Sequence, residues 1–208
     1  MTPLRSPSWY KRLHARLLAT GCRRYDRAVE AHKRRLLAPL AGTVVEIGPG
    51  AGANLRFYGP GVRWHGVEPN PWAHDWLARE AARVGLAAEL REGTAEALPF
   101  PGAFADAVVS ALVLCTVRDV PRALAEVRRV LRPGGRFVFV EHVVAPPGTR
   151  TRGAQRLVRP VWPLLADGCH ADRDTERAIR EAGFARVEVE RFRVPVPVIG
   201  PHIAGFAE

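Results

Sequence analysis

The stretch Thr43-Val44-Val45-Glu46-Ile47-Gly48-Pro49-Gly50-Ala51-Gly52 decides how the rest of this 208-residue chain is read. Thr43 to Ile47 is a short β-branched run, the composition of a strand. Glycines at every second position follow at once. They let the backbone approach a ligand closely and present its amide N–H groups. A loop after a strand and before a helix lies at the carboxyl end of that strand, where open α/β sheets bind ligands. One β-α-β unit later, Arg63-Trp64-His65-Gly66-Val67-Glu68 reads as a second strand ending in an acid. A carboxylate there can accept hydrogen bonds from both ribose hydroxyls of a nucleoside. The alternative is a solvated strand-end carboxylate.

The loop chemistry narrows the nucleoside. A dinucleotide loop usually runs G-x-G-x-x-G, so that a helix N-terminus meets the pyrophosphate. Here the third glycine comes one residue early, and Glu46 would face a phosphate unfavourably. S-adenosylmethionine carries a sulfonium and an amino group but no phosphate, and suits an acidic loop. A nicotinamide-dependent oxidoreductase is further disfavoured by the lack of a recognisable catalytic Tyr/Lys pair.

Outward from this unit, strands and helices alternate. Residues 87–92, 106–114 and 136–144 read as strands. Helices are predicted from near Ala53, over 72–84 and over 121–131, with a turn at Arg132-Pro133-Gly134-Gly135. Alternation of this kind predicts a parallel sheet with helices on both faces. It lapses at Pro146-Pro147-Gly148, and about 146–172 reads as an irregular or helical insertion. A helix at 172–182 and strands at 186–194 and 202–207 follow, the last two joined by a short link that allows an antiparallel hairpin at one edge. Residues 9–38 read as one helix or two. Tyr10, Leu13, Leu17, Tyr25, Ala28, His32 and Leu36 form its stripe, and Gly21 weakens or breaks it.

The net charge of +10 suggests an acidic partner. Residues 1–35 hold ten basic residues but only Asp26 and Glu30 as acids, and the remaining 173 residues carry a net +2. The excess therefore sits on one basic N-terminal face. Its arginines are expected to face water or an anionic membrane surface, and no nucleic-acid partner is expected. No run approaches the ~18 apolar residues of a membrane span, and no hydrophobic leader is apparent. Cys22, Cys115 and Cys169 are far apart and form no CxxC pair. This argues against a zinc site or disulfide framework and favours a reducing cytoplasm.

Four stretches in order carry a family resemblance: residues 46–52, Glu68-Pro69-Asn70, Gly93-Thr94-Ala95-Glu96-Ala97-Leu98-Pro99-Phe100 and Leu131-Arg132-Pro133-Gly134-Gly135. Together they resemble the class I S-adenosylmethionine-dependent methyltransferases. The resemblance implies a Rossmann-like seven-stranded sheet, mostly parallel with an antiparallel last strand and helices on both faces. It implies a lid over residues 1–38 and a catalytic domain over 39–208. Gly48, Gly50 and Gly52 would pack under the methionine part of the cofactor, with Glu46 near its amino group, directly or through water. Glu68 would hold the ribose. Pro69 and Asn70 would flank the adenine, opposite Thr94, Ala95 and Glu96; Ala95 stands where an Asp is more usual. Ser110, Ala111 and Leu112 would line the floor near the sulfonium.

A narrower resemblance runs through Leu112-Val113-Leu114-Cys115-Thr116-Val117, Val140-Glu141-His142-Val143, Leu165-Ala166-Asp167-Gly168-Cys169 and Pro201-His202-Ile203-Ala204-Gly205. These are similar to small methyltransferase-like proteins that methylate alkyl thiols, and to bacterial relatives. The animal proteins begin with a hydrophobic membrane-associated segment, where this chain has a basic amphipathic one. The quinone-biosynthesis C-methyltransferases share the general motifs, so O- or C-methylation stays open, as does, more remotely, methylation of RNA.

Methyl transfer is an in-line displacement that depends on alignment. A thiol acceptor, with a pKa of about 8.5, supplies some thiolate at neutral pH and needs less help from a base than a hydroxyl or carbon acid. His142 and Asp167 are the candidate catalytic residues. His142 could instead pair with Glu141, and Asp167 could serve as a turn residue or cap. His170 is a candidate for substrate contact, and His202 reads as structural. Tyr10 and Tyr25, on the lid, are expected to touch substrate. Phe57 and Trp162 read as core, and Cys115 and Cys169 as small buried apolar residues.

Overall fold

A computed structural model describes residues 8–20 and 23–208. Gly21 and Cys22 lie outside them. The N-terminal segment forms two helices, α1 (Ser8–Thr20) and α2 (Arg23–Leu37). The main body follows as β1 (Gly42–Ile47), β2 (Val62–Val67), α3 (Pro71–Val84), β3 (Ala88–Arg91), β4 (Ala105–Ala111), α4 (Val120–Val130) and β5 (Leu131–His142). The insertion folds as α5 (Arg150–Val158) and α6 (Trp162–Leu165). Then come α7 (Thr175–Glu181), β6 (Val187–Arg193) and β7 (Pro201–Ala207).

The strands form one sheet in the order β3-β2-β1-β4-β5-β7-β6. β1 to β5 pair in parallel, and β7 runs antiparallel between β5 and β6. The expected hairpin thus sits at the edge with β7 on its inner side. β1 is buried on both faces, as a central strand of a covered parallel sheet must be. Val45, Ile47, Val108, Phe137 and Phe139 pack on one face with α4 residues Leu124 and Val127. Val44, Trp64, Val109 and Val138 pack on the other with Leu37 and Leu77. The chain leaves β1 for β2 on one side and returns to β4 on the other. The carboxyl ends of β1 and β4 thus flank the point where the order reverses and a crevice opens.

Local signals account for several boundaries. Asn70 caps α3 by accepting from the Trp72 amide, with Pro71 in the first turn, and Gly85 ends it at φ +70°. Asp119 and Pro121 start α4 in the same way. Two expectations are corrected. The helix near Ala53 is only a 3-10 turn over Leu55–Phe57, because Tyr58 turns extended just before Gly59-Pro60-Gly61. Arg132 to Gly135 does not precede the strand but loops out within β5, between the pairs Ala105–Leu131 and Ala107–Arg136. A Cβ on Gly135 would stand 2.9 Å from the Arg132 carbonyl oxygen.

The buried stripe of α2 is shifted by one residue from the expected one. Val29, Lys33 and Leu37 face the sheet at four-residue spacing, with Leu36 only partly covered. Arg34 and Arg35 face solvent, paired with Glu30 and Glu190. The insertion is fastened by Gln155, fully buried in α5. Its Oε1 accepts from Ala145 N (2.8 Å), and its Nε2 donates to Ala171 O (2.9 Å), Val198 O (3.0 Å) and Val143 O (3.2 Å).

Candidate active site

The glycine loop leaves β1 with Gly48, Gly50 and Gly52 all at positive φ (57°, 56° and 88°). At Gly48 the conformation and the space both exclude a side chain, since a Cβ would stand 2.8 Å from a Val113 methyl. Glu68, at the end of β2, is buried. Its Oε2 accepts from Gly50 N (2.9 Å) and its Oε1 from Asn70 N (2.8 Å). Burial raises its pKa, and the two amides and nearby His74 and Lys11 oppose that rise. Loop, strand-end acid and helix cap are thus joined through one carboxylate.

Glu46 lies beneath the loop, on the α2 side of the sheet. Its Oε1 accepts from Asn54 Nδ2 (2.7 Å), and its Oε2 from Tyr58 Oη (2.8 Å) and Trp64 Nε1 (3.0 Å). Burial pushes its carboxyl up and these donors pull it back, with buried Lys33 adding a weaker attraction. Protein donors therefore engage both oxygens. Pro69 leads into the α3 cap. On the β3 side, Thr94 bridges Ala97 and Ala95 is buried. Glu96 Oε1 accepts from Arg118 N (2.9 Å), bracing the turn that leads to α4.

The floor lies at the ends of β4 and β5. Ser110 Oγ donates to Glu141 Oε1 at 2.6 Å, and the same oxygen accepts from Val113 N and Leu114 N. Burial raises the Glu141 pKa, opposed by Ser110 and the two amides. Leu112, beyond Ala111, has φ +61°, an unusual backbone for a branched residue, and its N–H is fixed on Val140 O at 2.9 Å. The suggested Glu141–His142 pair is corrected. Successive side chains of a strand point to opposite faces, and His142 Nε2 instead meets Cys169 Sγ at 3.1 Å. His142 sits in register with His202 on β7.

The N-terminal helices close the same end of the sheet. Tyr25 Oη donates to His202 Nε2 (2.9 Å), consistent with His202 Nδ1–H bonding Gly200 O (3.1 Å). Burial raises the Tyr25 pKa and holds the His202 pKa down to about 4. A protonated phenol therefore faces a neutral imidazole at neutral pH. Tyr10 Oη donates to Leu165 O (3.0 Å) and accepts from Asp167 N (2.9 Å). Lys11 Nζ grips both Asp167 oxygens at 2.7 and 2.8 Å, while Asn70 Nδ2 donates to Lys11 O (3.2 Å). α1 thus spans from the cofactor-side turn at Asn70 to the insertion at Asp167. Asp167 is a left-handed turn residue, φ +48°, whose carboxylate is held by Lys11. His170 is exposed, with its N–H on Cys115 O. Phe57 is core, as expected, and Trp162 is half-buried near Cys169.

Glu141, Gln155 and Lys33 escaped the sequence reading as site-building residues. Glu141 was read only as a possible partner of His142, and Gln155 lies outside any contiguous motif. The third looked like one more basic residue on a solvated face.

The sheet order, the left-handed glycine loop and the acid at the end of β2 define a class I S-adenosylmethionine-dependent methyltransferase. Residues 45–139 match the family model described as a methyltransferase domain. The chain is 35% identical over 202 residues to Thiol S-methyltransferase TMT1A of Homo sapiens, covering 88% of this chain and 80% of that protein. It is 31% identical over 172 residues to a Phosphatidylethanolamine N-methyltransferase of Cereibacter sphaeroides, covering 79% and 82%. The fold is also that of a SAM dependent methyltransferase from Aquifex aeolicus, with a TM-score of 0.57 at 16% identity and 88% and 89% coverage. The chain belongs to the methyltransferase family of these relatives, and its cofactor is S-adenosylmethionine.

Proposed function

We propose that this enzyme methylates a small thiol, and that residues 1–38 form the lid of its acceptor site. One observation carries the acceptor class. The general methyltransferase match ends at residue 139, yet similarity to the human thiol S-methyltransferase extends over 202 residues. At 88% of this chain, the similarity reaches beyond the general match and takes in the insertion.

The residues fit the cofactor. The cradle at Gly48 is one that a Cβ would fill, and the buried carboxylate of Glu68 lies beside it. Gly48, Gly50 and Gly52 would lie under the methionine part, and Glu68 would exchange its amide partners for the ribose hydroxyls. Pro69 and Asn70 would flank the adenine, with Thr94, Ala95 and Glu96 opposite. Ser110 and Leu112 would form the floor. Glu46 supports the loop from below, and any contact with the cofactor amino group would pass through water.

When bound, S-adenosylmethionine supplies a methyl carbon made electrophilic by its sulfonium. The protein's task is to align the acceptor sulfur and exclude water. Tyr25, whose one proton is given to His202, presents a hydrogen-bond-accepting oxygen at the acceptor end. Tyr10, Lys11 and Asp167 hold α1 shut across it. His142 and His170 border the same end. A thiol's own acidity lessens the need for a strong base. No nucleic-acid contact belongs to this reading.

The lid also offers a membrane-facing surface. Trp9 (65% exposed) and Leu13 lie on α1, and Leu164 and Leu165 (71% and 73% exposed) lie on α6. The Tyr10–Leu165 bond brings the two helices together. Together with Arg12, exposed on α1 and stacked over the Trp72 ring, this apolar surface suits peripheral attachment to anionic lipid. Cosedimentation with phosphatidylserine vesicles, absent with phosphatidylcholine, is the expected result; equal recovery with both would refute the attachment.

The acceptor test uses labelled S-adenosylmethionine with small alkyl thiols, phenols and phosphatidylethanolamine vesicles. Transfer to thiols is expected. Transfer only to phenols or to the lipid amine would overturn the thiol reading while leaving the methyltransferase intact.

A further inference from the structure

Three soft donor side chains meet at the acceptor end of the sheet: Cys115 from the turn after β4, His142 from the last position of β5 and Cys169 from the turn after α6. Their ligand atoms all lie within 4.8 Å of one another, and all three residues are buried. No local spacing rule finds such a group, because each donor comes from a different segment.

The cluster is braced before anything binds. Cys115 O accepts from His170 N at 2.9 Å, tying the two cysteine-bearing turns together. Arg173 Nη1 donates to Leu114 O at 2.7 Å, stiffening the turn beside Cys115. His142 is fixed by its strand, and Val143 N bonds Pro201 O at 2.9 Å just beyond it. Donors held by separate rigid elements lose little freedom on coordinating an ion.

The donor set selects the ligand. Two sulfurs and an imidazole suit a borderline-soft d10 cation, and two thiolates neutralise a divalent one. A separation within 4.8 Å accommodates Zn–S bonds of about 2.3 Å and Zn–N bonds of about 2.0 Å around one centre. We infer that Cys115, His142 and Cys169 form a Zn2+ site. Among the described residues three supply ligands, which leaves a fourth coordination position for a further ligand.

The test is titration of the full-length, tag-free, reduced protein with Co2+ as the spectroscopic stand-in, followed by competition with Zn2+. One equivalent should bind, with thiolate-to-cobalt charge transfer in the near ultraviolet and visible bands of tetrahedral cobalt. Zn2+ should bleach both. Cys115→Ser and Cys169→Ser should each weaken uptake by more than about a hundredfold, and His142→Ala should alter the visible bands. Circular dichroism reports whether each variant folds. X-ray absorption on the wild-type Zn2+ form, counting two sulfurs and one imidazole nitrogen, tests the site without any variant. Absence of charge transfer in the reduced wild type would overturn the site. So would its persistence in the double serine variant, or a Cys115–Cys169 disulfide in a chain that takes up no metal after reduction.

Discussion

The two halves of the sheet's carboxyl end are built in different ways. The half proposed to hold the cofactor rests on β1, β2 and the loops that leave them. Its central link, Gly50 N to Glu68 Oε2, joins residues only eighteen positions apart. The half proposed to hold the acceptor draws on α1, α2, β5, the insertion and β7, and its bonds span far more chain: Tyr25 to His202, Lys11 to Asp167. A site for an invariant cofactor can be written as one contiguous motif. A site for a variable acceptor is assembled from segments that can change independently, on a core that stays the same.

Substitutions that separate the halves test this contrast. The largest effect is expected from Gly48→Val, which meets both a left-handed backbone and the Val113 methyls. Cofactor binding should fall below detection by calorimetry, with a stability loss of about 1–3 kcal/mol. Ordinary affinity in this variant would sink the assignment of the loop.

Next comes Glu68→Gln, which keeps the shape and removes the charge. Hydrogen bonds to a charged group contribute about 1.5–3 kcal/mol, so cofactor affinity should fall roughly tenfold to a hundredfold. Acceptor KM measured at saturating cofactor should stay the same; a shift there would show that the halves are not separable.

His202→Gln probes the other half through pH. The folded pKa of His202 is about 4, against 6.5 for an unperturbed imidazole. Between these values the unfolded chain binds a proton that the folded chain does not. The contribution is therefore intact above pH 6.5 and is lost as pH falls toward 4, by at most about 3 kcal/mol. Urea unfolding at pH 7 and pH 5 should show a smaller acid loss in the variant than in the wild type. Equal losses would remove His202 as the cause.

The smallest effect belongs to Lys11→Met. The ion pair with Asp167 is partly exposed, so its loss should cost under about 1 kcal/mol of stability. Its expected signature is functional: acceptor KM rises while cofactor affinity holds, because α1 no longer grips the insertion. An unchanged KM would argue against closure by this contact.

Legibility followed the same division. The order of strands and helices from residue 42 to 142 could be read because each element carries its own pattern and its own stop signal, as Asn70-Pro71 and Gly85 do for α3. The 3-10 turn at Leu55 could not, because its residues are compatible with a helix until the chain is forced extended at Tyr58. Lys33 looked like another solvated cation. It is buried because the turn of α2 that carries it packs over the network around Glu46. Cys115, His142 and Cys169 gave no signal together, since nothing in a linear pattern says that two turns and a strand end converge.

By itself the sequence determined the α/β class, the glycine loop with its strand-end acid, and the cofactor chemistry they suit. These rest on short-range backbone requirements: alternation along strands, left-handed glycines, and a charge placed one unit downstream. Only the tertiary structure decided what lines the proposed acceptor end. Which histidine meets a thiol, which tyrosine meets an imidazole and which lysine is buried depend on how distant segments pack over the sheet, and packing is set by the whole core rather than by neighbours in the chain.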